Sequence, residues 1–197
     1  PAMRRFGVRL LRGLAERVVI RDGRAVGVIV DGREIAARAE VILSASAINT
    51  PKLLMLSGIG PGAHLREAGV EVVADRAGVG ANLQDHLEIY MQYAAAQPIT
   101  LFRYWNLWGK AYVGARWLLT GTGPGASNQF EAAGFIRSTP DQDYPDIQYH
   151  FLPIAVRYDG RAVATGHGFQ VHTGPMRSKS RGTVRLAGPD ARQAPAI

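Results

Sequence analysis

Residues 14–43 carry short apolar blocks broken by Asp-Gly pairs. Val18-Val19-Ile20, the turn Asp22-Gly23, Ala25-Val26-Gly27-Val28-Ile29-Val30, the turn Asp31-Gly32 and the stretch from Glu34 to Arg38 predict a small β-meander. Val41-Ile42-Leu43 is an unbroken apolar run, the pattern of a parallel strand covered on both faces. It ends in Ser44-Ala45-Ser46-Ala47, small residues that let a backbone or a ligand come close. In the fifteen residues from Ser46 to Gly60, Asn49 or Thr50 suits a helix N-cap and Pro51 the first helical position. Leu53, Leu54 and Leu56 supply the buried face, and Gly58 the left-handed residue that ends the helix. Residues 62–69 predict another short helix, with Leu65 and Ala68 inward, and Val70-Glu71-Val72-Val73 a strand.

From Ile89 onward the pattern changes and aromatic residues become frequent. Trp105, Leu107, Trp108, Ala111, Tyr112 and Ala115 recur at roughly helical spacing, which favours a packed helix over an aromatic ligand cage. Ile147-Gln148-Tyr149-His150-Phe151-Leu152, Gly168-Phe169-Gln170-Val171-His172 and Gly182-Thr183-Val184-Arg185-Leu186 alternate as strands of an antiparallel sheet. The predicted class is α/β (α+β). A boundary near residue 88 divides it into residues 1–88 and residues 89–197, the latter with a mostly antiparallel sheet and helices on one face.

At 197 residues and 47% hydrophobic content the chain can bury a core in one or two domains. It has no cysteine, which excludes disulfides, thiolate metal sites and cysteine nucleophiles. No apolar run approaches the roughly 20 residues a membrane helix needs. The formal charge of +7 raises nucleic acid as a partner, yet the arginines are scattered and only Arg177-Ser178-Lys179-Ser180-Arg181 clusters. Solvated surface accounts for them better. His167 and His172 point to opposite faces of a strand and make a poor metal pair. His86 suits a structural hydrogen bond to nearby backbone, and His64 an exposed helix position. His150 is either a lining residue of a substrate cavity or a satisfied core histidine. No carboxylate pair or Ser/His/Asp set has spacing for hydrolysis. Gly78-Val79-Gly80 lacks the third glycine and the following helix of a dinucleotide fingerprint.

The whole run from Ser46 to Gly60 resembles the second signature of the glucose-methanol-choline (GMC) family of FAD-dependent alcohol oxidoreductases. Gly78-Val79-Gly80-Ala81-Asn82-Leu83-Gln84-Asp85-His86 resembles the segment by which that family passes from its flavin domain to its substrate domain. The stretches from Gly125 to Arg137, Pro145 to Pro153, His167 to His172 and Met176 to Gly182 resemble the substrate domain of its choline-oxidising members. The resemblance runs from about residue 7 to 197.

It implies FAD as cofactor and oxidation of choline to betaine aldehyde, feeding glycine betaine synthesis, with electrons passed to an unassigned acceptor other than oxygen. It also implies a cytoplasmic location or peripheral membrane association on the cytoplasmic side. Two other readings are a GMC dehydrogenase of another primary alcohol and a non-catalytic binding or structural module. The implied cofactor contacts are the backbone of Ala15 and Glu16 near the adenine, and Ser44, Ala45 and Ser46, where a glycine is usual in place of Ser46. The trimethylammonium head of choline asks for a carboxylate or an aromatic surface, for which Glu131, Tyr149 and Phe151, with Phe130, are the candidates. The family's opening strand, Gly-rich turn and helix, which hold the FAD pyrophosphate, and its closing catalytic histidine have no counterpart here. No catalytic residue or metal ligand is therefore assigned. The expectation is an internal fragment that alone neither turns over choline nor holds FAD tightly, and whose exposed surfaces favour aggregation.

Overall fold

The computed structural model describes residues 7–156 and 166–197. The chain forms two compact units, one made of residues up to Gln84 together with Ser180–Ile197, the other of Asp85–Lys179.

In the first unit, β1 (Ala15–Arg21), β2 (Arg24–Val30) and β3 (Arg33–Ala36) form an antiparallel meander in that order. Both Asp-Gly turns have positive φ at both central residues, 50° and 72° at Asp22 and Gly23, 46° and 75° at Asp31 and Gly32. This is the turn geometry whose twist matches paired strands. The Val41-Ile42-Leu43 run is not a strand, and Ile42 is 78% exposed. A parallel strand needs neighbours for its N–H and C=O groups, and no described segment pairs with it.

Helix α1 (Ser46–Leu56) starts earlier than its punctuation suggests, with Ala45 as N-cap and Pro51 inside the helix. Neither Asn49 nor Thr50 caps it. Thr50 instead accepts the Ala45 N–H on Oγ1 at 3.0 Å. Pro51 lies in the middle of the helix, where it has no N–H to donate to the preceding turn. Gly58 ends the helix at φ 81° as predicted. The deepest side chain is Met55, fully buried; Leu53 is buried as well, while Leu54 and Leu56 are half-buried. Ser57 Oγ accepts the Val18 N–H at 2.8 Å and donates to Leu53 O at 2.6 Å, joining β1 to the end of α1.

The strand predicted at residues 70–73 is displaced. β4 (Ile59–Gly60) pairs in parallel with β5 (Ala74–Asp75), and Val70 and Val72 pack on the core instead. Helix α2 (Gly62–Glu67) buries Leu65 completely, with Ala68 packed nearby. Met55, Leu65, Val184 and Leu186 form this core. Residues 182–186 therefore belong to the first unit and to no ladder of the antiparallel sheet. Besides the single bridges Leu83↔Gly182 and Arg185↔Ala196, the Val184 N–H donates to Gly80 O at 2.7 Å. His64 is half-buried, contrary to expectation, because its Nε2 accepts the Leu186 N–H at 3.0 Å.

The second unit is built on β6 (Ile89–Ala94), β7 (Ala132–Ile136), β8 (Ile147–Leu152) and β9 (Gly168–Pro175), an antiparallel sheet in the order β6-β9-β8-β7. Helix α3 (Leu107–Thr120) is where the aromatic spacing predicts it. Asn106 caps it by accepting the Gly109 N–H at 2.8 Å, and Gly121 closes it at φ 65°. Its packing differs from expectation, since α3 has no buried residue and Trp108 is 82% exposed. The aromatics make local contacts, with Tyr104 stacked on Tyr112 and Lys110 over the Trp105 ring.

Candidate functional site

Side chains alternate along a strand, so the sheet register sorts polar residues by face. Tyr90 and Gln92 on β6 lie opposite His172 and Gln170 on β9, and His172 lies opposite His150 on β8. These residues and Gln148 share one face. Glu88, immediately before β6, joins them because Gly174 lets the chain pass closely, and a Cβ there would lie 2.2 Å from Leu87 O. A cavity of about 380 Å³ opens here, lined by His86, Glu88, Gln148 and His150 and by the chain at Leu87 and residues 173–175.

Behind the cavity runs a buried polar chain. The Val156 N–H and Gln92 Nε2 both donate to Gln170 Oε1 at 2.9 Å. Gln170 Nε2 meets His172 Nε2 at 2.6 Å, and His172 Nδ1 is hydrogen-bonded to Glu88 Oε1. Gln170 and His172 are fully buried, whereas the Glu88 side chain is 49% exposed. Tyr90 stacks on His172 at 5.4 Å, and the Phe130 ring stands edge-on to His172 and to His150. His86 makes the backbone bond expected of it, Nδ1 to Pro175 O at 3.2 Å. A carboxylate at the wall of a recess suits an organic cation.

The candidate ligand residues read from sequence are placed differently. Glu131 donates its N–H to Phe151 O at 3.2 Å, and its exposed carboxylate accepts from Ser127 Oγ at 3.0 Å. Tyr149 and Phe151 lie on the face of β8 opposite His150. Phe151 contacts Phe169 at 5.6 Å and lines a separate cavity of about 540 Å³ with Ala94, Thr100 and Pro153. The three candidates are thus not gathered around one recess. Glu88 escapes a reading by composition because one carboxylate at the end of a loop carries no periodicity. The available signal was Gln170 and His172, two polar residues two apart on a strand, together with Gly174.

In the first unit, Ala15 opens β1 opposite Val30, and Glu16 Oε1 accepts the Gly32 N–H at 3.1 Å. Ser44, Ala45 and Ser46 lead into the N-terminus of α1. Ser46 has φ 73°, a left-handed conformation that glycine adopts more easily. Among the described residues no group of histidine and carboxylate side chains is arranged to hold a metal. No helix among them is long and apolar enough to cross a membrane.

The profile of the GMC oxidoreductase family matches residues 1–88. Over its whole length the chain is 59% identical to a Brucella anthropi protein and 54% identical to one from Rhizobium etli, both named oxygen-dependent choline dehydrogenase. The chain belongs to the GMC oxidoreductase family. It spans 37% of the length of each of these relatives. A crystal structure of formate oxidase superposes on this GMC chain with a TM-score of 0.81 at 26% identity, covering 93% of the chain and 38% of its own. Pyridoxine 4-oxidase from Mesorbium loti superposes at 0.67 and 27% identity, over 93% of the chain and 33% of its own.

Proposed function

We propose that this chain is part of an FAD-dependent oxidoreductase that converts choline to betaine aldehyde. The observation that carries the reading is Glu88 at the wall of the 380 Å³ cavity, backed by buried His172, with His150 on the same wall and Phe130 edge-on to both histidines. A quaternary ammonium has no hydrogen to donate, so only charge and aromatic faces hold it. Among the glutamates we assign the cationic head to Glu88 in preference to Glu131, whose carboxylate accepts from Ser127. Tyr149 and Phe151 shape the other face of the same sheet.

When bound, FAD supplies the hydride acceptor of the reaction. Ser44, Ala45 and Ser46 at the start of α1, with the backbone of Ala15 and Glu16, are the residues of this chain assigned to it. The exposed helix start and the left-handed Ser46 support that assignment, since both let a ligand approach backbone N–H groups closely. The Brucella and Rhizobium relatives are named oxygen-dependent, which supports oxygen as the acceptor in place of the other acceptor implied by the resemblance. The proposed setting is cytoplasmic or peripheral to a membrane.

The test is oxygen consumption by the full-length flavoenzyme with choline, simple primary alcohols and the uncharged choline isostere in which carbon replaces nitrogen. Choline is expected to be preferred over the isostere. Glu88→Gln should raise KM for choline about tenfold or more and leave the isostere unaffected. Equal use of all the alcohols would point to a different GMC dehydrogenase.

A further inference from the structure

We propose that His172, locked in its Nδ1–H tautomer by Gln170, is the positioning residue that aims the Glu88 carboxylate into the cavity. The inference rests on the reading of Glu88 as the group that holds the cationic head. Its starting point is the Val156 backbone N–H, which can only donate and which meets Gln170 Oε1 at 2.9 Å. That contact decides which way the Gln170 amide faces. A second donor, Gln92 Nε2, lies on the same oxygen and also bonds Val156 O at 2.9 Å, holding the amide from two sides.

The Gln170 Nε2 group must then be the atom facing His172 Nε2 at 2.6 Å. An amide nitrogen donates, so His172 Nε2 accepts and the ring proton sits on Nδ1. Nδ1 faces Glu88 Oε1, an acceptor. In this arrangement each of these contacts pairs a donor with an acceptor. A proton on Nε2 would set N–H against N–H within a fully buried pair.

The ring cannot easily turn away. Tyr90 stacks on it at an interplanar angle of 23°, and Phe130 meets it at 75°. Glu88, by contrast, is half exposed on the segment leading into β6, and a glutamate there loses rotamer freedom only if something holds it. His172 holds Oε1 and leaves the other carboxylate oxygen for a ligand. Because the imidazole is in its neutral form, the pair keeps one net negative charge, which a cation requires. Titratable side chains around this pair include Tyr90, His86 and His150.

The experiment has a spectroscopic and a kinetic arm, both on the full-length flavoenzyme. In ¹⁵N-histidine-labelled protein the His172 ring should show a protonated Nδ1 and an unprotonated Nε2, and Gln170→Leu should weaken that preference, leaving only the Glu88 acceptor to favour it. His172→Leu should raise KM for choline about tenfold with kcat nearly unchanged and no effect on the uncharged isostere. His172→Asn, whose amide can replace the Nδ1 donor, should recover most of the loss. A wild-type ring protonated on Nε2 overturns the proposal whether or not any variant folds. So does a His172→Leu enzyme with unchanged KM, or with equal losses on choline and isostere, while Glu88→Gln still impairs choline. If Glu88→Gln also leaves choline unaffected, the underlying reading of Glu88 has failed instead.

Discussion

Val184 donates its backbone N–H to Gly80 O at 2.7 Å, and a Cβ on Gly80 would lie 2.2 Å from the Val184 carbonyl oxygen. Gly80 also has φ 74°, so an alanine there is strained as well as crowded. Gly80→Ala should destabilise the first unit by more than about 2 kcal/mol. Chemical denaturation would measure this, with loss of amide-exchange protection at Val184. Unchanged protection would mean that the two segments are not held as described.

Ser46 offers the opposite case. Its left-handed φ of 73° costs a non-glycine residue roughly 1–2 kcal/mol. Its Oγ makes only a long contact, 3.4 Å, with the Ile48 N–H. Ser46→Gly is therefore expected to raise stability by about 1 kcal/mol after the added freedom of the unfolded chain is subtracted. A fall in the denaturation midpoint would show that the Ser46 hydroxyl matters more than the backbone conformation.

Buried Ser57 links two elements through one hydroxyl. Ser57→Ala removes the acceptor of the Val18 N–H and leaves that donor buried without its partner. The expected cost is about 1–3 kcal/mol. Exchange at the Val18 amide should accelerate more than at the neighbouring β1 amides, and uniform acceleration along β1 would contradict the link.

Asp146 carries a pH dependence with a defined sign. Its carboxyl lies below the usual aspartate range, first because Ser138 Oγ donates to it at 2.6 Å and next because the Ser138 N–H donates at 2.7 Å. A depressed folded value means that the stabilising contribution is present above the ordinary carboxylate range and is lost as pH falls through the lower folded value. Ser138→Ala should move the Asp146 carboxyl titration upward, followed by NMR of its side-chain carbon. The shift should be partial, since the backbone donor remains, and no shift at all would remove Ser138 Oγ as its main cause.

Local chemistry was legible where one short segment decides its own conformation. The Asp-Gly turns at residues 22–23 and 31–32, the αL glycine at Gly58 and the inward Leu65 follow from backbone sterics and periodicity. The antiparallel strands at residues 147–152 and 168–172 follow from alternation, the second continuing to Pro175 in the structure. The motif from Ser46 to Gly60 carried the family. Elsewhere local signals misled. Pro51 reads as a helix start, but the helix extends five residues before it.

What the sequence by itself determined is therefore the set of turns, most elements and the GMC kinship. Only the tertiary structure decided which segments meet. Residues 182–186 alternate like a strand, yet burial of Val184 and Leu186 against Met55 and Leu65 places them in the first unit, a contact more than a hundred residues apart in the chain. Val41-Ile42-Leu43 has the composition of a buried strand and no partner among the described residues, and pairing is a property of two segments. The recess at Glu88 depends on the register of β6 and β9 and on the missing side chain of Gly174. Hydrogen-bond partners such as Gln170 and His172 share a face only once that register is set, because a slip of one residue turns each side chain to the other face.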